Sequence, residues 1–278
     1  MKEFLWYLSF FAPCLVFAFC TASANALTAA VTLTIDTLAP TVSSVFSTAL
    51  TGSYKAGASL PLVVRFSEPV TVSSFPYLTL NVRGGAAIAN YSTGSMSRQL
   101  TFVYSVLSGD NVAALEVLSR GALLLDQHAG SYIRDFASND ANRTLPIVGS
   151  SSSLSEQTPL IIDTTAPVVL SVYSTNSSGS YQAGERLHLV VSLSEPVEVY
   201  GKPLLWLNTG RAAVYASGFN TSLLTFLYDI GANENVALMG VANASALMLP
   251  SLSMVNDFAG NPANLTLSVS GTQLGRGS

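Results

Sequence analysis

Cysteine is nearly absent from this chain, and the two that occur, Cys14 and Cys20, both fall within the first 26 residues. That stretch reads as a secretory leader. Lys2 precedes an apolar run from Phe4 to Phe19, and Ala22-Ser23-Ala24 and Ala24-Asn25-Ala26 each fit the small-residue cleavage pattern. Removal after Ala24 or Ala26 leaves a mature chain with no disulfide, no thiolate nucleophile and no cysteine metal ligand. A secreted domain of this kind must hold itself together through a sizeable core or a bound ion.

Charge is scarce too. Only 10% of residues are charged against 49% hydrophobic, and the 12 basic residues are scattered, which leaves no electrostatic footprint for nucleic acid. Beyond the leader no apolar run is long enough to span a bilayer, so no membrane span is expected in the mature chain. Histidine is limited to His128, in "DQHAG", and His188, at an alternating strand position, and both read as structural or solvated rather than as general bases. There is no nucleophile elbow, HExxH, Walker A or dinucleotide fingerprint. Glu68 and Asp135 form an acid pair, but spacing alone does not set two carboxyls across a sugar. The chain is expected not to be an enzyme.

What is present is a repeat. A shift of 127 positions carries Pro40 onto Pro167, "GSYKAG" (52–57) onto "GSYQAG" (179–184), "FSEPV" (66–70) onto "LSEPV" (193–197) and "PYLTLN" (76–81) onto "PLLWLN" (203–208). After a short contraction "LTFVYSVLSGDNVAAL" (100–115) faces "LTFLYDIGANENVALM" (224–239), and "RDFASNDAN" (134–142) faces "NDFAGNPAN" (256–264). Within each copy "SLPLVVRF", "RLHLVVSL", "LTFVYSV" and "LTFLYDI" alternate apolar and polar residues, with Gly, Asn, Ser and Asp gathered between them. No stretch sustains a 3.6-residue period. The pattern predicts an all-β protein: tandem immunoglobulin-like antiparallel β-sandwich modules after a signal peptide. The expected division is a leader over 1–26, a short leading strand over 27–37, a first module over 38–163 and a second over 164–278, the second lacking its last strand. At the seams "TIDTLAP" (34–40) and "IIDTTAP" (161–167), proline fixes φ and keeps the residue before it extended.

The order of the words "DTTAP", "SYQAG", "SEPV", "LxLN", "LTFxY", "GDN" and "DFAGN" resembles the bacterial Ig-like tandem repeats of large surface adhesins, including the module type known as the SwmB repeat. The resemblance covers almost all of the mature chain. It implies a secreted or cell-surface location, a stalk-like or adhesive role, neighbouring Ig-like modules and cell-surface glycans or proteins as partners, and calcium held near domain junctions.

Calcium takes six to eight oxygens, mostly carboxylate and carbonyl. The candidates in the first copy are Asp36, Glu68, Asp110, Asp135 and Asn139, and in the second Asp163, Glu195, Glu234, Asp257 and Asn261. The seam aspartates Asp36 and Asp163 fit two roles, metal ligation or a turn closed on nearby backbone N–H groups. Glu68 and Glu195 also fit as solvated edge-strand residues that discourage pairing. Asp163 is expected to sit where oxygens from two modules meet. The first copy has Ser138 and Asp140 where the second has Gly260 and Pro262, which predicts a different turn.

Sequons occur at Asn90, Asn142, Asn176, Asn220, Asn243 and Asn264, candidate glycosylation sites in a eukaryotic source. A second functional reading is a carbohydrate-binding module that stacks Tyr200, Trp206 or Tyr215 on sugar rings. Against it, Trp206 in "LLWLN" is expected to be buried.

Overall fold

The computed structural model describes residues 8–11, 14–19, 31–85, 87–267 and 275–276. The chain falls into two compact units, one made of 1–50, 59–104 and 115–159, the other of 51–58, 105–114 and 160–278. Both are built from curled antiparallel sheets, and the only helical elements among the described residues are the short segments Leu154–Gln157 and Arg83–Gly85. The all-β tandem antiparallel architecture expected from the sequence is the one found. At the N-terminal end Leu8–Phe11, Cys14–Phe19 and Val31–Ile35 pair as a three-stranded sheet. The cleavage positions read at Ala24 and Ala26 lie outside the described residues.

Each copy is organised around one 15-residue strand, Ser59–Ser73 in the first and Arg186–Tyr200 in the second. Alternation decides their faces. Leu60, Leu62, Val64 and Phe66 are buried in the first, and Leu187, Leu189, Val191 and Leu193 in the second. The first half of Arg186–Tyr200 pairs with Thr221–Asp229 and with Val169–Ser174, and its end pairs with Met254–Asn256. Strand Ser97–Ser105 brings Leu100, Phe102 and Tyr104 into the first core, and Thr221–Asp229 brings Leu224, Phe226 and Tyr228 into the second. These side chains supply most of the driving force, at about 2 kcal/mol or more for each large one removed from water.

The "SEPV" word sits where the long strand changes partner. In the second copy the register against Thr221–Asp229 shifts between Ser192 and Val197, so Glu195 and Pro196 occupy an irregularity of the ladder. Proline has no N–H to give a ladder and is tolerated at such points. A bulge also re-aims the side chains it carries. Glu68 and Glu195 are therefore interior to a long strand at a break in its pairing, and the edge-strand reading of them does not describe their position.

Two expectations need correction. Trp206 is 37% exposed. Its neighbours Leu205 and Leu207 take the inward positions of the strand, and strict alternation turns the indole outward. The turns after Asp135 and Asp257 do not differ in kind: Ser138 at φ 72° and Gly260 at φ 83° both adopt the left-handed conformation.

Candidate functional site

Asp36, Glu68 and Asp135 come together in the first unit, and Asp163, Glu195 and Asp257 in the second. In each group, one carboxylate oxygen from every residue lies within 4.8 Å of the others. Three segments far apart in sequence build each triad: the leading segment before the module, the stretch of the long strand where its pairing partner changes, and the turn after a three-residue strand.

The leading segment is fixed first. The Thr41 N–H donates to Ser67 Oγ at 3.0 Å and the Ser67 N–H to the Thr41 carbonyl at 2.8 Å. The second copy repeats both, with Val168 and Ser194, at 3.0 and 2.9 Å. The Asn142 N–H donates to the Pro40 carbonyl and the Asn264 N–H to the Pro167 carbonyl, each at 2.8 Å. Serine of "SEPV" thus staples the segment whose aspartate the next residue, glutamate, faces. Asp36 also accepts the Leu38 N–H at 3.1 Å and Asp163 the Thr165 N–H at 3.0 Å, so the turn role foreseen for both is occupied by one oxygen of each.

The third carboxylate is the buried one. Asp135 accepts the Asn139 N–H at 2.8 Å and the Asn139 amide at 2.7 Å. Asp257 accepts the Ala259 and Asn261 N–H groups at 2.8 Å and the Asn261 amide at 2.7 Å. The same asparagine nitrogens reach the carbonyls of Asp36 at 3.1 Å and Asp163 at 2.9 Å. Asn139 and Asn261 thus clamp the aspartate of the turn to the backbone of the leading segment.

Three carboxylates this close repel one another. In both triads the cost shows on the glutamate: burial first, then Asp36 and Asp135, push Glu68 above the ordinary 4.5, and burial, then Asp163 and Asp257, do the same to Glu195. Arg98 offsets part of this at Glu68. Either a proton or a cation relieves such a group, and a hard divalent cation suits an all-oxygen set. The carboxylates and nearby carbonyls fit calcium in kind.

Two acids read from the sequence as ligands lie elsewhere. Asp110 is buried and accepts the Leu107 N–H at 2.8 Å, closing its own turn. Glu234 pairs with Arg211 at 2.6 Å and accepts the Tyr228 hydroxyl, and these two bonds hold its carboxyl below the usual range. Asp163, placed by its sequence at a seam, belongs to the same compact unit as Glu195 and Asp257. The serine staple and the asparagine clamp were missed from sequence. The fixed spacing of Ser to Glu in "SEPV" and of Asp to Asn in "DFASN" and "DFAGN" carried that information.

Five sequon asparagines, Asn90, Asn142, Asn220, Asn243 and Asn264, are exposed. Asn176 is half-buried, with its Oδ1 accepting the His188 N–H at 2.7 Å. Tyr200 packs edge-on against Phe219, and Tyr215 against Phe226. Among the described residues no helix is long and apolar enough to cross a membrane.

No family model matches the chain, and no curated protein matches it. Among solved structures, the chain is similar to FdeC, described as a novel broadly conserved Escherichia coli adhesin eliciting protection against urinary tract infections, at 11% identity and a TM-score of 0.36, over 91% of this chain and 73% of that one.

Proposed function

We propose that this chain is a secreted or cell-surface pair of structural and adhesive Ig-like modules of the bacterial tandem-repeat type, non-catalytic, in which calcium rigidifies the segment leading into each module. The observation that carries the reading is the duplicated triad. Two copies that differ at most positions each hold three acids, a serine staple and an asparagine clamp at the same place. Calcium bridging the three carboxylates ties the leading segment to the long strand and to the turn beyond it, which turns a tether into a rigid strut. Neighbouring Ig-like modules and cell-surface glycans or proteins are the partners such a strut serves.

The test is thermal unfolding of the secreted chain with calcium and with EGTA. At a dissociation constant of about 0.1 to 1 mM, the extracellular range, 10 mM calcium raises stability by about 1.5 to 3 kcal/mol per site. An unchanged melting temperature defeats the calcium reading. Adhesion is tested by retention of chain-coated beads on host cells or extracellular matrix.

A second reading is favoured by one observation, the outward indole of Trp206. As a carbohydrate-binding module the chain stacks this ring on a sugar. Glycan-array binding that disappears in Trp206→Ala with folding intact selects this reading over the first.

A further inference from the structure

One end of the second unit is sealed by a strand. Leu160–Ile162 runs parallel to Gly52–Tyr54, with Leu160 opposite Gly52 and Ile162 opposite Tyr54. On its other side Ile162 and Val112 exchange both backbone hydrogen bonds, at 2.8 and 2.9 Å. The Asp163 N–H donates to the Tyr54 carbonyl at 3.0 Å, the Thr164 N–H to Asn111 Oδ1 at 2.8 Å, and the Gly109 N–H to Thr164 Oγ1 at 2.9 Å. Leu160 and Ile162 are fully buried and Ile161 between them is exposed.

Among the described residues the same acceptor occurs a second time in this unit without a strand in it. By the repeat, Gly179-Ser180-Tyr181 corresponds to Gly52-Ser53-Tyr54, and Asn235-Val236 to Asn111-Val112. Among the described residues no strand pairs with 179–181. Those five residues instead line a cavity of about 270 Å³ floored by Leu187, Ile230 and Met239.

The chain also carries a second copy of the plug. Leu33-Thr34-Ile35-Asp36-Thr37 corresponds to Leu160-Ile161-Ile162-Asp163-Thr164, with the same alternation and the same Asp-Thr exit into Ala-Pro. Leu33 and Ile35 are 50% and 55% exposed, whereas their counterparts are buried. Asp36 is held in its own triad, as Asp163 is in its own, so occupation of the triad and insertion of the strand are compatible.

We infer that strand Val31–Ile35 of one copy of this chain inserts into the groove between Gly179–Tyr181 and Val236 of another copy, joining mature chains head to tail. The occupant is specified by polar as well as apolar complementarity. Leu33 and Ile35 fill the cavity, Ile35 exchanges backbone bonds with Val236, the Asp36 N–H reaches the Tyr181 carbonyl, and the Thr37 N–H reaches Asn235. This is strand addition to an open sheet edge. The donor and acceptor surfaces are different, so the contact is heterologous and does not close on itself, and it generates a linear series. The inference rests on removal of the leader, which takes away Cys14–Phe19, the strand beside Val31–Ile35. It is independent of calcium.

The experiment uses the secreted chain, its first residue read by mass spectrometry, in EGTA. Sedimentation at rising concentration is expected to show an open series of dimer, trimer and longer species. Leu33→Asp removes the donor and Val236→Asp the acceptor, so each variant alone is expected to be monomeric. An equimolar mixture of the two is expected to give a 1:1 dimer and nothing larger, because each partner retains the half the other has lost. Circular dichroism matching the parent shows that the variants fold. A labelled peptide of residues 30–40 is expected to bind the Leu33→Asp variant and not the Val236→Asp variant. A parent chain that stays monomeric at about 100 μM, variants that still associate, a mixture without dimer, or a chain secreted with Cys14–Phe19 attached each overturns the inference. A groove filled by residues 268–276 of the same copy gives a monomeric parent and no peptide binding, which also overturns it.

Discussion

Glu68 and Glu195 stand in the same word of the repeat, in matching long strands, and each faces its own equivalent pair of aspartates, yet only Glu68 has a guanidinium within range. Arg98 also donates to the Ser67 carbonyl beside it, and its counterpart in the second copy is Ser222. The backbone frame of the two triads is duplicated, whereas their electrostatic surroundings are not. A frame set by backbone hydrogen bonds tolerates change around it. The charge within it then has to be balanced by whatever lies near, an arginine in one copy and solvent, protons or cations in the other.

The clamp is the part of the frame whose loss has the largest expected effect. Asp257→Ala strips an acceptor from two backbone N–H groups and from the Asn261 amide in a buried turn, while Asp135→Ala strips one backbone N–H and one amide. At about 1 to 3 kcal/mol for a buried donor left without a partner, less the relief of carboxylate repulsion, Asp257→Ala is expected to cost about 3 kcal/mol and Asp135→Ala about 2. Trp206 is the sole tryptophan once the leader is gone, so its fluorescence in urea follows the second unit while circular dichroism follows both. Equal losses would show that the extra N–H of the second turn carries no weight.

Next in size is the response to calcium and pH. A carboxyl whose folded value lies above its unfolded one binds protons more readily when folded. Its contribution to stability is therefore complete at low pH and declines as pH rises from about 4.5 through the raised value. In EGTA both units are expected to weaken as pH rises from about 5.5 to 7, above the range in which the depressed carboxyls of Asp229 and Glu234 add stability of their own, the second more steeply because no arginine faces Glu195. Calcium is expected to reverse the trend, and Glu195→Gln to remove the reversal in the second unit only. Arg98→Ser makes the first triad resemble the second, with an expected gain of about two- to five-fold in its calcium affinity, the scale of a surface charge pair. If pH profiles are flat in both units, the repulsion read from the geometry is already relieved.

Much of this was legible in the sequence because duplication wrote it twice. Strands followed from alternation in "SLPLVVRF" and "LTFLYDI", and six of the ten acids and amides singled out as candidates come together in space as the two triads. Alternation was read for Trp206 in the wrong phase: with Leu205 and Leu207 facing in, the residue between them faces out whatever its hydrophobicity. Asp110 and Glu234 occupy matched positions in the words, but what they bind is decided in three dimensions, by the turn at Leu107 in one case and by Arg211 in the other. The grouping of 51–58 and 105–114 with the second unit was likewise beyond sequence, since it follows from the hydrogen bonds that Leu160–Ile162 makes to Gly52–Tyr54 and Val112.

The smallest effect is expected at Ser138, where the copies differ in residue but not in backbone. Both turns need a left-handed residue after the clamped aspartate, with Ser138 at φ 72° and Gly260 at φ 83°. A side chain in that conformation costs about 1 kcal/mol, because its Cβ crowds the following carbonyl. Glycine escapes that cost but loses more backbone freedom on folding, and the two terms partly cancel. Ser138→Gly is therefore expected to stabilise the first unit by about 0.5 kcal/mol, and Gly260→Ser to weaken the second by a similar amount. Space does not enter the second case, since a Cβ at Gly260 would meet only the Lys55 side chain, its Nζ nearest at 3.6 Å, an ordinary contact. Opposite shifts of equal size in urea denaturation would show that the two turns are one structure carrying two residues. A loss in Ser138→Gly would mean instead that the serine side chain contributes to the turn, and the equivalence of the two copies would end at the clamp.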